Sequence, residues 1–354
     1  MNLSKLQEHI LNNSPEKTIV ISSAASGKTA LLTEKVRQVI KSNVEPTEIA
    51  VITFTRMAAA ELIERLGDDY REGMFVGTIH SLANQFLLRC GIDTSSIVDQ
   101  DDFDKLFLKV KENPYCIRSF DWLFLDEGQD SNEEQLEFIF DMIKPAHFFA
   151  VGDPKQSIYI FNGAKPELFV KLSKRKDVKT FDMNENFRNG REILSFAKML
   201  ISKTGIYDTS IAKRPINGTV TKDTYYADKV ARMIEANKPY KNWVILVRTN
   251  DEIAKRQNEL EKRGIPTTTF KQGGLTKEDL RTLMDEDTVK ILTVHSAKGL
   301  EWNNVIAIGM RGYSTETSNL CYVAATRARN KLFWLYYPKK KEELAEIFNW
   351  DWWG

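Results

Sequence analysis

The sequence predicts an α/β protein with two domains, each a mostly parallel sheet flanked by helices. Short runs rich in β-branched residues alternate with helical stretches, and this alternation starts again after about residue 180. With 354 residues and 42% hydrophobic composition, the chain is long enough for two full cores. We therefore predict an N-terminal domain over residues 1–178 and a C-terminal domain over residues 179–354, joined by a short hinge near residues 175–185.

The first sheet is predicted from apolar runs that precede helical stretches or turns. This order is typical of parallel strands joined by crossover helices. The runs are TIVISS (18–23), IAVITF (49–54), MFVGT (74–78), WLFLD (122–126) and FFAVGD (148–153).

The second sheet is predicted from a further set of runs with helical segments between them. They are NWVILVR (242–248), VKILTV (289–294), NNVIAIG (303–309) and KLFWLYY (331–337). This half of the chain contains no phosphate-binding loop of its own.

Charge and cysteine content narrow the classes of protein. Fifty Lys and Arg against 49 Asp and Glu leave a net charge of +1, so a polyanion has to be held by a local basic groove. The cysteines, at positions 90, 116 and 321, are odd in number and far apart, which fits neither a disulfide framework nor a CxxC metal site. This cysteine usage predicts a cytoplasmic protein, and we expect no membrane span because no stretch of 18 apolar residues occurs.

The segment SSAASGKT (22–29) lies between the first predicted strand and a predicted helix. Small residues let backbone N–H groups wrap phosphates, while Lys28 reaches the β and γ oxygens and Thr29 ligates Mg²⁺. A chance turn of small residues is the alternative, and Ser22 replaces the first glycine of the motif. We predict an ATP and Mg²⁺ site with nucleotide contacts from Ser23, Ala24, Ala25, Ser26, Gly27, Lys28 and Thr29.

An acidic pair follows the apolar run WLFL. Asp126 at the end of a strand is suited to hold Mg²⁺, and Glu127 is suited to orient and deprotonate the attacking water. Acidic turns are common on protein surfaces, so this pair alone is weak evidence for a catalytic site. Together with the phosphate-binding loop upstream, it becomes strong evidence.

Nine blocks, in this order, resemble superfamily-one DNA helicases of the UvrD/Rep/PcrA group. The resemblance runs from Leu3 to about Leu332 and implies two RecA-like domains with the ATP site in the cleft between them. The blocks are LSKLQEHI (3–10), ASGKT (25–29), ITFTRMAAAEL (52–62), VGTIHSLA (76–83), LDEGQD (125–130), VGDPKQSIYIFNGA (151–164), NENFRNGREIL (184–194), TVHSAKGLEWNNVI (293–306) and YVAATRARNKL (322–332).

The resemblance implies roles for further residues around ATP. Gln7 is expected to read the adenine edge, and Phe187 to stack on the base in place of the usual tyrosine. Gln156 is expected to couple the γ-phosphate to the DNA-facing loop, and Glu301 to contact the ribose. Arg188 and Arg327 resemble arginines that reach the γ-phosphate, although an ordinary surface role is the alternative for both. Ala25 departs from the family, which usually has glycine there, and alanine resists left-handed backbone conformations.

The resemblance also implies a site for single-stranded DNA. Stacking aromatics suit a motor that accepts any sequence, because every base has a π-face. Phe54 could instead belong to the core, and Asn162 departs from the usual arginine. The residues implied to contact DNA are Phe54, His80, Tyr159, Phe161, His295 and Lys298.

From these residues we expect an ATP hydrolase: a DNA helicase and single-stranded DNA translocase, with 3′ to 5′ polarity, in replication, repair, recombination or defence. The segments 87–125 and 189–292 are short where relatives carry large helical insertions, so the chain resembles a minimal version of the family. A DNA-gated ATPase switch subunit of a nuclease or recombination complex is the alternative. An RNA motor is a third reading, because stacking does not test for the 2′-hydroxyl.

The partners expected are single-stranded DNA and its junctions with duplex. The C-terminal FNWDWWG (348–354) holds three of the seven tryptophans, and it either docks a protein partner or folds back to seal an edge of the second domain.

Overall fold

The computed structural model describes residues 3–100, 102–202, 205, 207–271, 275–312 and 314–337. These residues form two compact units. The N-terminal unit runs to Phe187 and also contains Asp208–Ile211, while the C-terminal unit contains the described residues of 188–207 and 212–337. Residues 348–354, on which the docking prediction depends, lie outside the described part of the chain.

The N-terminal unit contains a six-stranded parallel sheet in the order β3-β2-β4-β5-β1-β6. Its inner strands are buried on both faces, as crossover helices on both sides require. The strands are β1 (Lys17–Ser22), β2 (Ile49–Thr53), β3 (Phe75–Thr78), β4 (Trp122–Leu125), β5 (His147–Gly152) and β6 (Lys179–Met183).

The helices of this unit are α1 (Lys5–Asn13), α2 (Lys28–Lys41), α3 (Arg56–Leu66), α4 (Ile79–Arg89), α5 (Ser95–Asp99), α6 (Asp104–Glu112), α7 (Glu133–Glu137) and α8 (Pro166–Ser173). Side-chain caps define where several begin, because a Ser or Thr hydroxyl accepts from an unpaired N–H of the first turn. Ser4 caps α1, Thr55 caps α3 and Thr78 caps α4. Beyond β6, the two-residue strands β7 (Glu185–Asn186) and β8 (Ile211–Ala212) pair as a short ribbon.

The C-terminal unit contains a second six-stranded parallel sheet, in the order β11-β12-β10-β13-β14-β9. Its strands are β9 (Thr219–Thr224), β10 (Trp243–Val247), β11 (Thr267–Thr268), β12 (Val289–Thr293), β13 (Trp302–Ile308) and β14 (Ala328–Tyr336). Its helices are α9 (Arg191–Ser202), α10 (Ala227–Glu235), α11 (Asn250–Glu261), α12 (Lys277–Asp285) and α13 (Thr315–Thr326).

The predicted fold class is confirmed, and each of the nine apolar runs contains a strand. Residues 179–183, placed in the second domain by the sequence, form β6, which pairs with β1 in the first sheet. The strands β6 and β9 were missed because they are edge strands with polar sequences, KTFDM and TVTKDT. Among the described helices, none is both long and apolar enough to span a membrane.

Candidate nucleotide and nucleic-acid sites

The phosphate-binding loop follows β1 and ends where α2 begins. Gly27 lies before the first residue of α2 with φ +84°, a left-handed conformation that glycine adopts without strain. A Cβ at this position would lie 2.6 Å from Gln7 Nε2, so the Gln7 amide would have to move to admit a side chain. Ala25 adopts φ +56°, the conformation that its side chain disfavours.

Carbonyl groups of the loop are held by donors from α1 and from the chain at and just after β7. Gln7 Nε2 donates to Ser26 O at 2.9 Å, and Asn186 Nδ2 donates to Ala24 O at 2.9 Å. Phe187 N donates to Ala25 O at 3.0 Å. Since the carbonyl and N–H of a trans peptide point in opposite directions, fixing these carbonyls also orients the N–H groups that bind phosphate.

The carboxylates after β4 lie beside Lys28 and Thr29, the first two residues of α2. Lys28 Nζ is 3.5 Å from Glu127 Oε1, and Thr29 Oγ1 donates to Asp126 Oδ2 at 3.1 Å. Asp126 is buried, and this burial, reinforced by the charge of Glu127, raises its pKa to about 6. A hydroxyl and a buried carboxylate so close together provide the hard oxygen ligands that Mg²⁺ prefers, so Thr29 and Asp126 fit this ion.

A buried glutamine, which the sequence analysis did not select, organises the residues after Glu127. Gln129 Nε2 donates to Glu127 Oε2 at 2.6 Å and to Asp130 Oδ2 at 3.1 Å. Its Oε1 accepts from Asp153 N at 2.8 Å. The only sequence signal for this residue was its place inside the LDEGQD block, because its partner Asp153 is 24 residues away.

The turn after β5 begins with Asp153 and contains Gln156. Gln156 is buried, and its Nε2 donates to Asp153 Oδ2 at 2.7 Å. Ser157 Oγ donates to Gln129 O at 3.2 Å. The predicted sensor of the γ-phosphate therefore lies in the same network as the predicted catalytic carboxylate.

The three predicted stacking aromatics of the N-terminal unit lie together. The rings of Phe54 and Tyr159 are stacked, with centroids 4.8 Å apart, and those of Tyr159 and Phe161 are 6.3 Å apart. Phe54 is 40% exposed and Phe161 is 59% exposed, so Phe54 is not a core residue. Burial, together with the charges of Asp130 and Glu127, raises the pKa of Tyr159 to about 12.

His80, predicted to lie near the DNA backbone, is half-buried at the start of α4. Its ring packs against Phe103 and Phe107, and its Nε2 is 3.8 Å from Asp104 Oδ1. Burial lowers the pKa of this imidazole, although Asp104 opposes the shift.

The C-terminal unit brings together Arg188, Glu301 and Arg327. Arg188 Nε pairs with Glu301 Oε2, and its Nη1 donates to Thr326 O at 3.2 Å. Arg327 is buried and donates to Val323 O at 3.0 Å and to Thr326 Oγ1 at 3.2 Å. Burial works against the charge of Glu301, but the neighbouring arginines outweigh it and lower the pKa of this carboxyl.

His295 and Lys298 share the turn that follows β12, where Lys298 N donates to His295 O at 3.3 Å. Both side chains are half-buried. Their contacts with DNA stay a prediction.

Most of the chain matches two known protein-domain families. Residues 3–114 and 92–177 match the UvrD/REP helicase N-terminal domain, and residues 270–339 match the UvrD-like helicase C-terminal domain. The chain belongs to the UvrD/Rep helicase family. Its two α/β units are therefore RecA-like, and the family consists of ATP-hydrolysing DNA helicases.

Individual relatives are distant. Gabija protein GajB of Bacillus cereus strain VD045 is 24% identical, and the match covers 93% of this chain and 94% of GajB. The probable DNA helicase II homolog of Mycoplasma capricolum is 24% identical over 75% of this chain and 51% of that protein. The ATP-dependent DNA helicase Rep of Escherichia coli K12 is also 24% identical, over 75% of this chain but only 55% of Rep.

The chain thus spans about half of Rep but nearly the whole of GajB. The GajB alignment has 470 positions against the 354 residues of this chain, so GajB carries segments that this chain lacks.

Proposed function

We propose that this helicase-family protein is an ATP-driven motor that moves along single-stranded DNA and unwinds DNA. We propose 3′ to 5′ polarity from the amino-acid sequences of two blocks, TVHSAKGLEW and YVAATRA. DNA is the substrate expected of this family. Movement along a single strand is our proposal beyond the family assignment.

The observation that carries the proposal is the buried bridge through Gln129. This side chain joins Glu127 to the backbone of Asp153, and Ser157 donates to the Gln129 carbonyl. Two residues further along lies Tyr159, whose ring stacks on Phe54. Hydrogen bonds from Glu127 to Ser157, followed by two residues of chain, therefore connect a carboxylate suited to activate water with a ring pair suited to bases, which supports ATP hydrolysis that responds to DNA.

We assign each residue of the ATP site a role in ATP hydrolysis. Lys28 binds the β and γ oxygens, Glu127 accepts the proton of the attacking water, and Gln156 responds to the γ-phosphate. Arg188 and Arg327 stabilise the charge that develops on the transferred phosphoryl group. Thr29 and Asp126 would hold Mg²⁺, which when bound would supply positive charge to neutralise the phosphates.

The base and sugar contacts are proposed for Gln7, Phe187 and Glu301. Gln7 Oε1 accepts from Ser4 N and its Nε2 donates to Ser26 O. An amide has a second N–H and a second lone pair, so these bonds are compatible with reading an adenine edge. Phe187 is 43% exposed, which leaves its ring face accessible to a base.

A second function, a DNA-gated ATPase switch without processive stepping, is favoured by the strained Ala25 in the phosphate-binding loop. Displacement of streptavidin from end-labelled single strands distinguishes the two, because only a translocating motor displaces it.

The deciding experiment measures ATP turnover with and without single-stranded DNA, in the wild type and in Lys28→Ala. We expect strong DNA stimulation in the wild type, no turnover in the variant, and loss of turnover when EDTA removes Mg²⁺. Turnover that is unaffected by any single strand would refute the motor and the switch alike. Single-stranded RNA as the activator tests the RNA reading.

Docking of a protein partner through the tryptophans at 350, 352 and 353 is also a proposal. Deletion of Trp350 to Gly354 tests it. A lower melting temperature would mean that the tail seals the protein's own surface, whereas unchanged melting with loss of a co-purifying protein would support docking.

A further inference from the structure

A four-residue segment, Asp208–Ile211, belongs to the N-terminal unit although the chain on either side belongs to the C-terminal unit. We call it the return segment. Ile211 N donates to Asn184 O at 2.7 Å, and Ser210 is buried. The sequence predicts no role for this segment, because it lies outside the nine motif blocks.

The Asp208 side chain is fully buried, with 0% exposure. Its Oδ1 accepts from Ser210 N at 3.0 Å, which fixes the turn of the return segment. The same oxygen lies 3.4 Å from Ser23 Oγ, a hydroxyl of the phosphate-binding loop. One carboxylate therefore joins the return segment to that loop.

Lys155 makes a second connection to the start of the loop. Its Nζ lies 4.0 Å from Asp208 Oδ1, 2.9 Å from Asp153 Oδ1 and 3.3 Å from Ser22 O. Burial opposes the charge of this lysine, but Asp153 and Asp208 outweigh it and raise its pKa. The charged ammonium therefore connects the turn after β5, the loop and the return segment.

We propose that Asp208 is a positioning residue of the ATP site, which holds the first turn of the phosphate-binding loop through Ser23 and Lys155. The inference rests on the proposed function, since it takes this loop to bind nucleotide. Backbone N–H groups bind phosphate only when the loop holds them in a concave arrangement. The strained Ala25 lies two residues after Ser23, and such strain persists only where neighbouring contacts maintain it.

The test compares the affinity of Asp208→Ala, Asp208→Asn and the wild type for Mg·ADP, with the melting temperature of each. Removing a buried hydrogen-bonded carboxylate should weaken ADP binding about tenfold. Asparagine keeps an oxygen that accepts from Ser23 and Ser210, so Asp208→Asn should recover most of the affinity. The matched control is Asp177→Ala, which removes an ion-paired but partly exposed aspartate of the same unit and should bind ADP like the wild type.

The outcomes separate this inference from the proposed function. If Asp208→Ala binds ADP as tightly as Asp177→Ala, Asp208 does not position the loop. If the wild type and Asp177→Ala both fail to bind ADP, the nucleotide site itself is wrong.

Hydrogen exchange of the wild type provides a measurement that does not depend on the folding of a variant. ADP should increase protection of the Ser210 and Ile211 amides together with that of the loop amides. Protection of the loop amides alone would overturn the inference.

Discussion

Two non-glycine residues at the nucleotide site hold left-handed backbone conformations. Ala25 has φ +56° and Glu127 has φ +51°. Each costs on the order of 1–2 kcal/mol for an L-amino acid. Hydrogen bonds hold both, since Ala25 O accepts from Phe187 N and Glu127 O accepts from Asp130 N at 2.9 Å. The carboxylate of Glu127 is therefore directed by its backbone as well as by Gln129.

The conformation of Ala25 predicts an unusual response to glycine. Ala25→Gly should leave the free energy of unfolding unchanged or raise it, because relief of strain offsets the entropy that glycine adds to the unfolded chain. The control is Ala60→Gly, at an exposed position inside α3, which should destabilise the protein by about 1 kcal/mol. Urea unfolding of both variants checks the difference. Equal destabilisation would mean that Ala25 is not strained.

The acidic pair predicts which step fails in a conservative variant. Glu127→Gln should bind Mg·ATP without cleaving it, since the amide cannot accept the proton of the attacking water. Turnover and nucleotide binding are measured side by side, with Lys28→Ala as the variant that also loses phosphate contacts. The exposed Glu133, paired with Lys165, provides the control Glu133→Gln, which should turn over normally. A wild-type kcat in Glu127→Gln would exclude Glu127 as the base.

At the scale of helices and strands, the sequence predicts best where burial is strongest. Strands β2 and β10 are buried at every residue, and their sequences, IAVIT and WVILV, are almost entirely apolar. The edge strands β6 and β9 carry polar residues and lack this signal. The sequence also did not predict the hydrogen bonds of Gln129 or the contacts of Asp208. These contacts join residues that are far apart in the sequence, such as Asp208 with Ser23 and Lys155, so they depend on tertiary structure. Motif blocks identified the residues but not the contacts that hold them.

The ion pair between Arg188 and Glu301 predicts how the ATPase responds when arginine is replaced by lysine. Arg188→Lys should lower kcat far more than nucleotide affinity, because the planar guanidinium matches phosphoryl oxygens and the Glu301 carboxylate where an ammonium does not. Arg263→Lys is the matched control, since Arg263 is an ion-paired arginine of the same unit whose partner is the exposed Asp228. Steady-state kinetics measure both. A change confined to KM would mean that Arg188 contacts ground-state nucleotide alone.

At the scale of the whole molecule, short connections predict weak unwinding. Among the described residues between α4 and β4, the α-helices are the short α5 and α6, and the match covers 55% of the length of Rep. The purified protein should move on single strands yet open long duplexes poorly, and its DNA binding should weaken steeply with salt. Unwinding of labelled duplexes of increasing length checks this at physiological salt. Processive opening of several hundred base pairs by the protein alone would contradict it.

The return segment has a practical consequence for dividing the protein. The chain passes between the units after Phe187, before Asp208 and after Ile211, so no single cut separates them. An N-terminal half ending at Phe187 would leave the Asn184 carbonyl and the Ser23 hydroxyl without Ile211 and Asp208. A half that ends after Ile211 would instead carry α9 away from the sheet on which it packs. Independent production of the N-terminal half therefore calls for grafting residues 208–211 behind residue 187 through a short glycine linker.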